Sequence, residues 1–179
     1  MFTNKPGSER WVRANLVLGM DGATTKNGSS KGLSSRTDRA RFHEIRSMAD
    51  LILIGGQTAR SEPYESTPVP LIVISRSPSA PHRASANPMS RTLDIEPAHL
   101  ITTLDREKYP RILVEGGYAL MHALLLDRAL DGIYLTLAEV LGDSTRIDLD
   151  ILLSDIASAG LLEKSREEVN GDSFLLFTR

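Results

Sequence analysis

Two short apolar runs, LILIGG at 51–56 and RILVEGG at 111–117, each break off on a glycine pair just before a helical pattern begins. A run of four or five large apolar residues without alternation fits a strand buried on both faces, and such strands are typical of parallel sheets covered by helices. Glycine at the exit lets the chain turn sharply into the next helix. The opening segment 11–20 strengthens the constraint. There Val12, Ala14, Leu16 and Leu18 fall on one face, and Trp11, Arg13, Asn15 and Val17 on the other. With the compact run 71–74, the order strand, helix, strand repeats through the chain and predicts an α/β fold with a parallel core.

The intervening pieces can be placed from local signals. Asp21-Gly22 is a turn, and ATTKNGSSKG after it is a polar loop. Ser35 is positioned to cap a helix, with Asp38 three residues on and an apolar stripe of Phe42, Ile45 and Ala49. Residues 76–91, rich in Ser, Pro and Ala, predict a long surface loop. A short strand at 92–95, helices at 97–107 and 118–129 and a strand at 133–140 follow. Residues 163–169 and 173–178 then flank Asn170-Gly171, the signature of an antiparallel hairpin. The expected architecture is a mostly parallel central sheet flanked by helices and closed by a C-terminal hairpin. It forms a single domain over 1–179, with residues 1–9 a flexible N-terminus.

Several chemistries find no support. A net charge of -2 and a pI near 6.1 leave no basic stripe for nucleic acid. There is no cysteine, hence no disulfide, thiolate nucleophile or cysteine-bound zinc. His43, His82, His99 and His122 lack metal-ligand spacing, so no metal is expected. G-x-G-x-x-G, the P-loop and the G-x-S-x-G elbow are all missing. No apolar run reaches the length of a membrane span, and the first residues lack the apolar core of a signal peptide, so the expected location is the cytoplasm.

Chemistry is expected where the strands end. In an open parallel sheet the carboxyl ends share one edge, and ligands bind in the crevice there. That edge would gather Gly19 to Gly22, Gly55 to Thr58, Ser75, and Glu115 with Gly116 and Gly117. Glycine pairs ahead of helices can present backbone amides to the phosphates of a dinucleotide, or can simply make tight turns. Glu115 is not needed for its turn and could accept hydrogen bonds from a substrate amide or ring nitrogen, whereas Asp21 is also an ordinary turn acid.

Four blocks carry a likeness to a known family: RWVRANLVLGMDGATT, GLSSRTDRARFHEIRSMADLILIGGQTARSEPY, PLIVISR and RILVEGGYALMHALLLDRALDGIYLTLAEVLG. In order and spacing they resemble the pyrimidine reductases of riboflavin biosynthesis, that is, the dihydrofolate-reductase-like reductase domain of the bifunctional deaminase-reductase. The resemblance implies NADPH as cofactor, a small-molecule pyrimidine or pterin substrate and a homodimer. It places cofactor contacts at Leu18, Gly32, Gly56, Thr58, Glu62, Ser75, Gly116, Gly117, Tyr118, Ala119 and Leu120. Ser30, Arg46 and Glu115 fall on the substrate side, with Arg46 toward a sugar phosphate and Glu115 toward the pyrimidine; Asp21, near both ligands, and Glu115 are the implied catalytic residues. The implied reaction is NADPH-dependent reduction of 5-amino-6-ribosylaminouracil 5'-phosphate to the ribitylamino compound. The chain departs from the family where P-x-L-T-V-R, which brings a second arginine, is replaced by PYESTPVP. That leaves open a reductase of dihydrofolate or another small pterin, and a nucleotide-binding module without catalysis.

Overall fold

The computed structural model describes residues 9–77 and 82–179. In chain order the strands are β1 (Trp11–Gly19), β2 (Leu51–Gly55), β3 (Leu71–Ile74), β4 (Ser90–Leu93), β5 (Arg111–Glu115), β6 (Gly132–Ala138), β7 (Leu162–Val169) and β8 (Asp172–Thr178). The helices are α1 (Arg36–Ser47), α2 (Gly56–Ser61), α3 (Pro97–Thr103), α4 (Tyr118–Leu126) and α5 (Leu149–Ser158). All strands join one sheet in the order β4-β3-β2-β5-β1-β6-β8-β7. Strands β1 to β6 pair in parallel, and β8 and β7 close the sheet antiparallel. The α/β class, the parallel core and the closing hairpin are as expected from the sequence.

Burial explains why these runs become central strands. Leu51, Ile52, Leu53 and Ile54 of β2 are all fully buried, alternate residues packing into opposite layers. In β1 the Val12, Ala14, Leu16 and Leu18 face meets α3, α4 and α5 through Leu100, Leu120, Leu124, Leu152 and Ile156. The opposite face packs Trp11 with Leu113 and Tyr134 against Ile45 and Ala49 at α1. Full burial of one such aliphatic side chain contributes about 1.5–3 kcal/mol, so the sheet interior dominates the stabilisation. At the closing hairpin, Asn170 and Gly171 both have positive φ, 53° and 85°, as a tight two-residue turn requires.

The topology creates the crevice. From β2 the chain runs through α2 toward the β3–β4 edge, whereas from β5 it runs through α4 past β1 toward β6. β2 and β5 are neighbours, so the chain diverges between their carboxyl ends. That divergence is the switch point at which α/β sheets hold ligands.

Four local expectations need correction. The helix expected at 97–107 stops at Thr103, and that expected at 118–129 stops at Leu126. Segment 76–91 is not simply a surface loop. Arg83–Ala86 forms a 3-10 turn, Ala84 and Asn87 are buried, and Asn87 Nδ2 donates to Thr67 Oγ1 at 2.8 Å. Residues 78–81 of that segment, and residues 1–8 of the expected flexible N-terminus, lie outside the described residues. Helix α5 has no counterpart among the expected elements. Its Asp148 side chain accepts from the Asp150 and Ile151 amides, Leu152 and Ile156 face the core, and Gly160 at φ 81° follows its end. Among the described residues no helix is long and apolar enough to cross a membrane.

Removing the α5 cap should lower stability by about 1 kcal/mol, the usual effect of deleting an N-cap acceptor. Asp148→Ala is therefore expected to shift the urea midpoint downward without changing the slope. An unchanged midpoint would show that packing of Leu152 and Ile156 alone holds the helix.

Candidate active site

At the carboxyl end of β5, Glu115 lies beside Asn15 of β1 and faces the α1 layer. Its side chain is only 2% exposed and that of Arg46, on the last turn of α1, 13%. Arg46 Nε donates to Glu115 Oε1 at 2.8 Å and Arg46 Nη2 to Oε2 at 2.6 Å, a bidentate pair. Tyr64, in the irregular segment between α2 and β3, donates its hydroxyl to Glu115 Oε2 at 2.9 Å. The guanidinium also stands 4.1 Å from the Phe42 ring centre and 5.3 Å from that of Tyr64. Burial alone would lower the Arg46 pKa, but the bonds and charge of Glu115 outweigh it and raise it. Burial, reinforced by the charge of Glu115, lifts the Tyr64 phenol well above its ordinary value, so it remains a donor. Arg46 and Glu115, both expected on the substrate side, are thus bonded to each other.

The glycine turns meet next to this pair. Gly116 and Gly117 have φ of 65° and 74°, which a residue with a Cβ rarely adopts. A Cβ on Gly116 would lie 2.8 Å from Thr58 Cγ2, and one on Gly117 3.3 Å from the Gly55 nitrogen. A Cβ on Gly56 would lie 2.8 Å from Ser75 Oγ. The ends of β2, β3 and β5 are therefore in van der Waals contact, with Thr58 and Ser75 wedged between the turns. Helix α4 starts here, and its first turn carries no acid. The Leu120 amide donates to the Gly117 carbonyl at 2.9 Å, so Tyr118 and Ala119 are the first-turn amides that the helix itself leaves without a partner. An electropositive helix start at a glycine turn fits an anionic cofactor group. Leu18, fully buried near the end of β1, can offer only its backbone.

The loop from Gly22 to Gly32 borders the same edge and is fastened from two sides. Glu62, just after α2, accepts from Ser29 Oγ at 2.9 Å and from the Ser30 amide at 2.8 Å. Asp143 accepts from Thr25 Oγ1 and from the Gly28 and Asn27 amides at 2.9–3.1 Å. Asp21 accepts from the Ala23 and Gly142 amides, and Arg146 Nε donates to it at 2.9 Å. Gly32 packs so closely that a Cβ there would sit 2.2 Å from the Lys26 carbonyl oxygen. Asp21 is thus a loop clasp, and Glu62 holds the Ser29–Ser30 turn with both oxygens.

A cavity of about 330 Å³ does not compete for the site. It lies at the opposite edge of the sheet, among Leu51, Pro70, Leu71, Met89 and Tyr109. No carboxylate lines it, and the glycine turns lie at the other end of β2. Tyr64 is the residue that sequence reasoning passes over. It sits in a proline-rich stretch without helical or strand period, and only its aromatic character in that setting could have singled it out.

A mostly parallel sheet with two glycine exits meeting at a switch point, beside a buried acid and arginine, defines the dihydrofolate-reductase-like α/β class. The chain belongs to the RibD C-terminal domain family, which matches residues 10–149. No curated protein matches it. Among solved structures it is similar to Acinetobacter baumannii RibD, with 17% identity, a TM-score of 0.73 and coverage of 95% of this chain and 58% of the other. A pyrimidine reductase-like protein from Corynebacterium diphtheriae shares 16% identity, with a TM-score of 0.67 and coverage of 94% and 91%. The Thermotoga maritima diaminohydroxyphosphoribosylaminopyrimidine deaminase/5-amino-6-(5-phosphoribosylamino)uracil reductase shares 15%, with a TM-score of 0.66 and coverage of 95% and 56%. The chain thus spans little more than half of the Acinetobacter and Thermotoga proteins and nearly all of the Corynebacterium protein. At these identities the neighbours establish the fold, and family membership implies an oxidoreductase.

The loop clasp has a pH signature. Two amides and the Thr25 hydroxyl, the Gly28 amide foremost, hold the Asp143 carboxyl below its ordinary 3.8. At Asp21 partial desolvation pushes upward but is outweighed by Arg146 and the Ala23 and Gly142 amides, so its pKa is lowered too. A lowered folded-state pKa contributes stability that is complete above the unfolded value and fades as pH falls through the folded one. Asp143→Asn should therefore be less stable than the parent at neutral pH, with the difference constant down to about pH 4 and closing below it. A difference that persists unchanged at the acid end of urea titrations would remove charge from the explanation.

Proposed function

We propose that this chain is an NADPH-dependent reductase that converts 5-amino-6-ribosylaminouracil 5'-phosphate to its ribitylamino counterpart in riboflavin biosynthesis. The observation that carries the reading is the juxtaposition of two glycine turns and a helix start with a buried Arg46–Glu115 pair, in a chain of the RibD C-terminal domain family. Gly116, Gly117 and the Tyr118 and Ala119 amides would hold the cofactor phosphates, with Thr58 and Ser75 bracing the turns. NADPH, when bound, supplies the hydride. Glu115 would accept from a ring N–H of the pyrimidine, and Arg46 would offer a guanidinium to the sugar phosphate. Ser30, held by Glu62, borders the substrate, and Asp21 keeps the adjoining loop in place. The protein's contribution is orientation and charge placement, since the hydride chemistry belongs to the cofactor. The same reading includes a homodimeric, cytoplasmic enzyme.

One observation favours a second reading, a reductase of a pterin or other substrate without a phosphate. Arg46 already neutralises Glu115, and the PYESTPVP stretch supplies no arginine where the family brings its second. A phosphate dianion would have to share or displace a paired cation.

Oxidation of NADPH, followed by its absorbance, decides between them. Turnover of the phosphorylated aminopyrimidine is expected, and Arg46→Ala should lower kcat/KM by about 10- to 100-fold, the equivalent of one charged hydrogen-bonding contact. Turnover of dihydropterins instead would favour the second reading. Tight NADPH binding with no turnover of either would leave a binding module.

A further inference from the structure

Tyr64 belongs to no helix or strand, yet it joins three parts of the site. Its ring is buried with Ile52, Ile54, Ala59 and Val73, and only its hydroxyl leaves this apolar cluster. That hydroxyl ends on Glu115 Oε2, the oxygen that also accepts Arg46 Nη2. Prolines at 63, 68 and 70 restrict the backbone on either side. The ring is thus anchored by packing, and the hydroxyl has a fixed reach.

A substrate that uses either member of the Arg46–Glu115 pair disturbs a buried ion pair. If Arg46 turns part of its guanidinium toward a ligand, Glu115 loses donors at a place that water scarcely reaches. An unpaired buried carboxylate is strongly unfavourable. Phe42 cannot help, since its ring faces the guanidinium and donates no hydrogen bond. Tyr64 can, because its hydroxyl donates directly to Glu115 Oε2.

We propose that Tyr64 is a positioning residue, the fixed donor that keeps Glu115 oriented and satisfied while Arg46 engages the substrate. The proposal gives the substrate side of the crevice a third member beside Arg46 and Glu115. Its substrate-dependent part rests on the reductase reading above, and its structural part does not.

Tyr64→Phe keeps the packed ring and removes only the hydroxyl. With the phosphorylated aminopyrimidine, the variant is expected to show KM raised by about tenfold or more, with kcat changed by less than about threefold. Calorimetric NADPH affinity should stay close to the parent's, while the thermal midpoint should fall, since a buried carboxylate loses one donor. An unchanged KM overturns the proposal. So does a fall in NADPH affinity parallel to that in kcat/KM, because it marks Tyr64 as general scaffolding. A second measurement needs no turnover: the Arg46 Nε–H resonance, assigned by its loss in Arg46→Lys and followed by solvent exchange. Faster exchange in Tyr64→Phe, by about tenfold, is expected, and unchanged exchange overturns the proposal. If the parent protein turns over no aminopyrimidine, the aminopyrimidine reading fails, and the exchange measurement still decides the role of Tyr64.

Discussion

Glu115 is sealed beneath a helix at the end of a central strand, and a charge in that position must be paired. Removing one partner from a buried ion pair typically costs about 3–5 kcal/mol, because the remaining charge stays desolvated. The side chains that meet at Glu115 come from α1, from the α2–β3 segment and from β5, separated by 69 and 51 residues from it in sequence. One carboxylate therefore fixes how a surface helix and an irregular segment sit on the sheet. Phe42 and Tyr64 flank the guanidinium and exclude water, which strengthens the pair and makes it intolerant of loss. The interaction fixes one arrangement of these elements as much as it stabilises it, since an apolar replacement could pack the same space without the directional bonds.

The backbone constraint beside it is of a different kind. At the glycine turns the missing Cβ atoms are required first by packing, as the close approaches to Thr58, Gly55 and Ser75 show. Ligand access follows from the same geometry. When three strand ends meet with only the small Thr58 and Ser75 side chains between them, the amides at the start of α4 are left at the surface of the crevice. The two readings of the glycine pairs, tight turn or anion cradle, are therefore not alternatives. The tight packing of turns is what would build the cradle.

Much of this was legible in the sequence because the determinants are local. A run such as LILI can only be buried on both sides, alternation in 11–18 assigns two faces, and Asn170-Gly171 announces its own hairpin. Ser35 accepts the Asp38 amide as its position implies. Helix α5 was legible too, in Asp148, Leu149, Leu152, Ile156 and Gly160, but a short pattern between two longer ones is easily read as connection. What the sequence withholds is pairing at a distance. Arg46 and Glu115 stand out individually, yet nothing in their spacing says that each is the other's partner. Tyr64 stands out in no pattern, because its role depends on where a proline-rich segment crosses the sheet end. Asp21 shows the opposite limit, a residue whose turn role and whose nearness to ligands predict the same sequence.

The loop that borders the crevice is held in place by side chains from both of its flanks. Between Gly22 and Gly32 it has one 3-10 turn and isolated bridges, and its place is set by side chains from outside it. Asp143 and Arg146 reach it from the segment after β6, and Glu62 from the end of α2. Those anchors stand on opposite sides of β5 in the sheet, so the loop bridges the switch point between them. Glu62 and Tyr64, two residues apart, act on the loop and on Glu115 respectively. A shift of the α2–β3 segment would therefore move the loop and the buried ion pair together. That linkage makes a short irregular stretch, rather than any strand or helix, the part of the chain that couples the loop bordering the crevice to the buried ion pair.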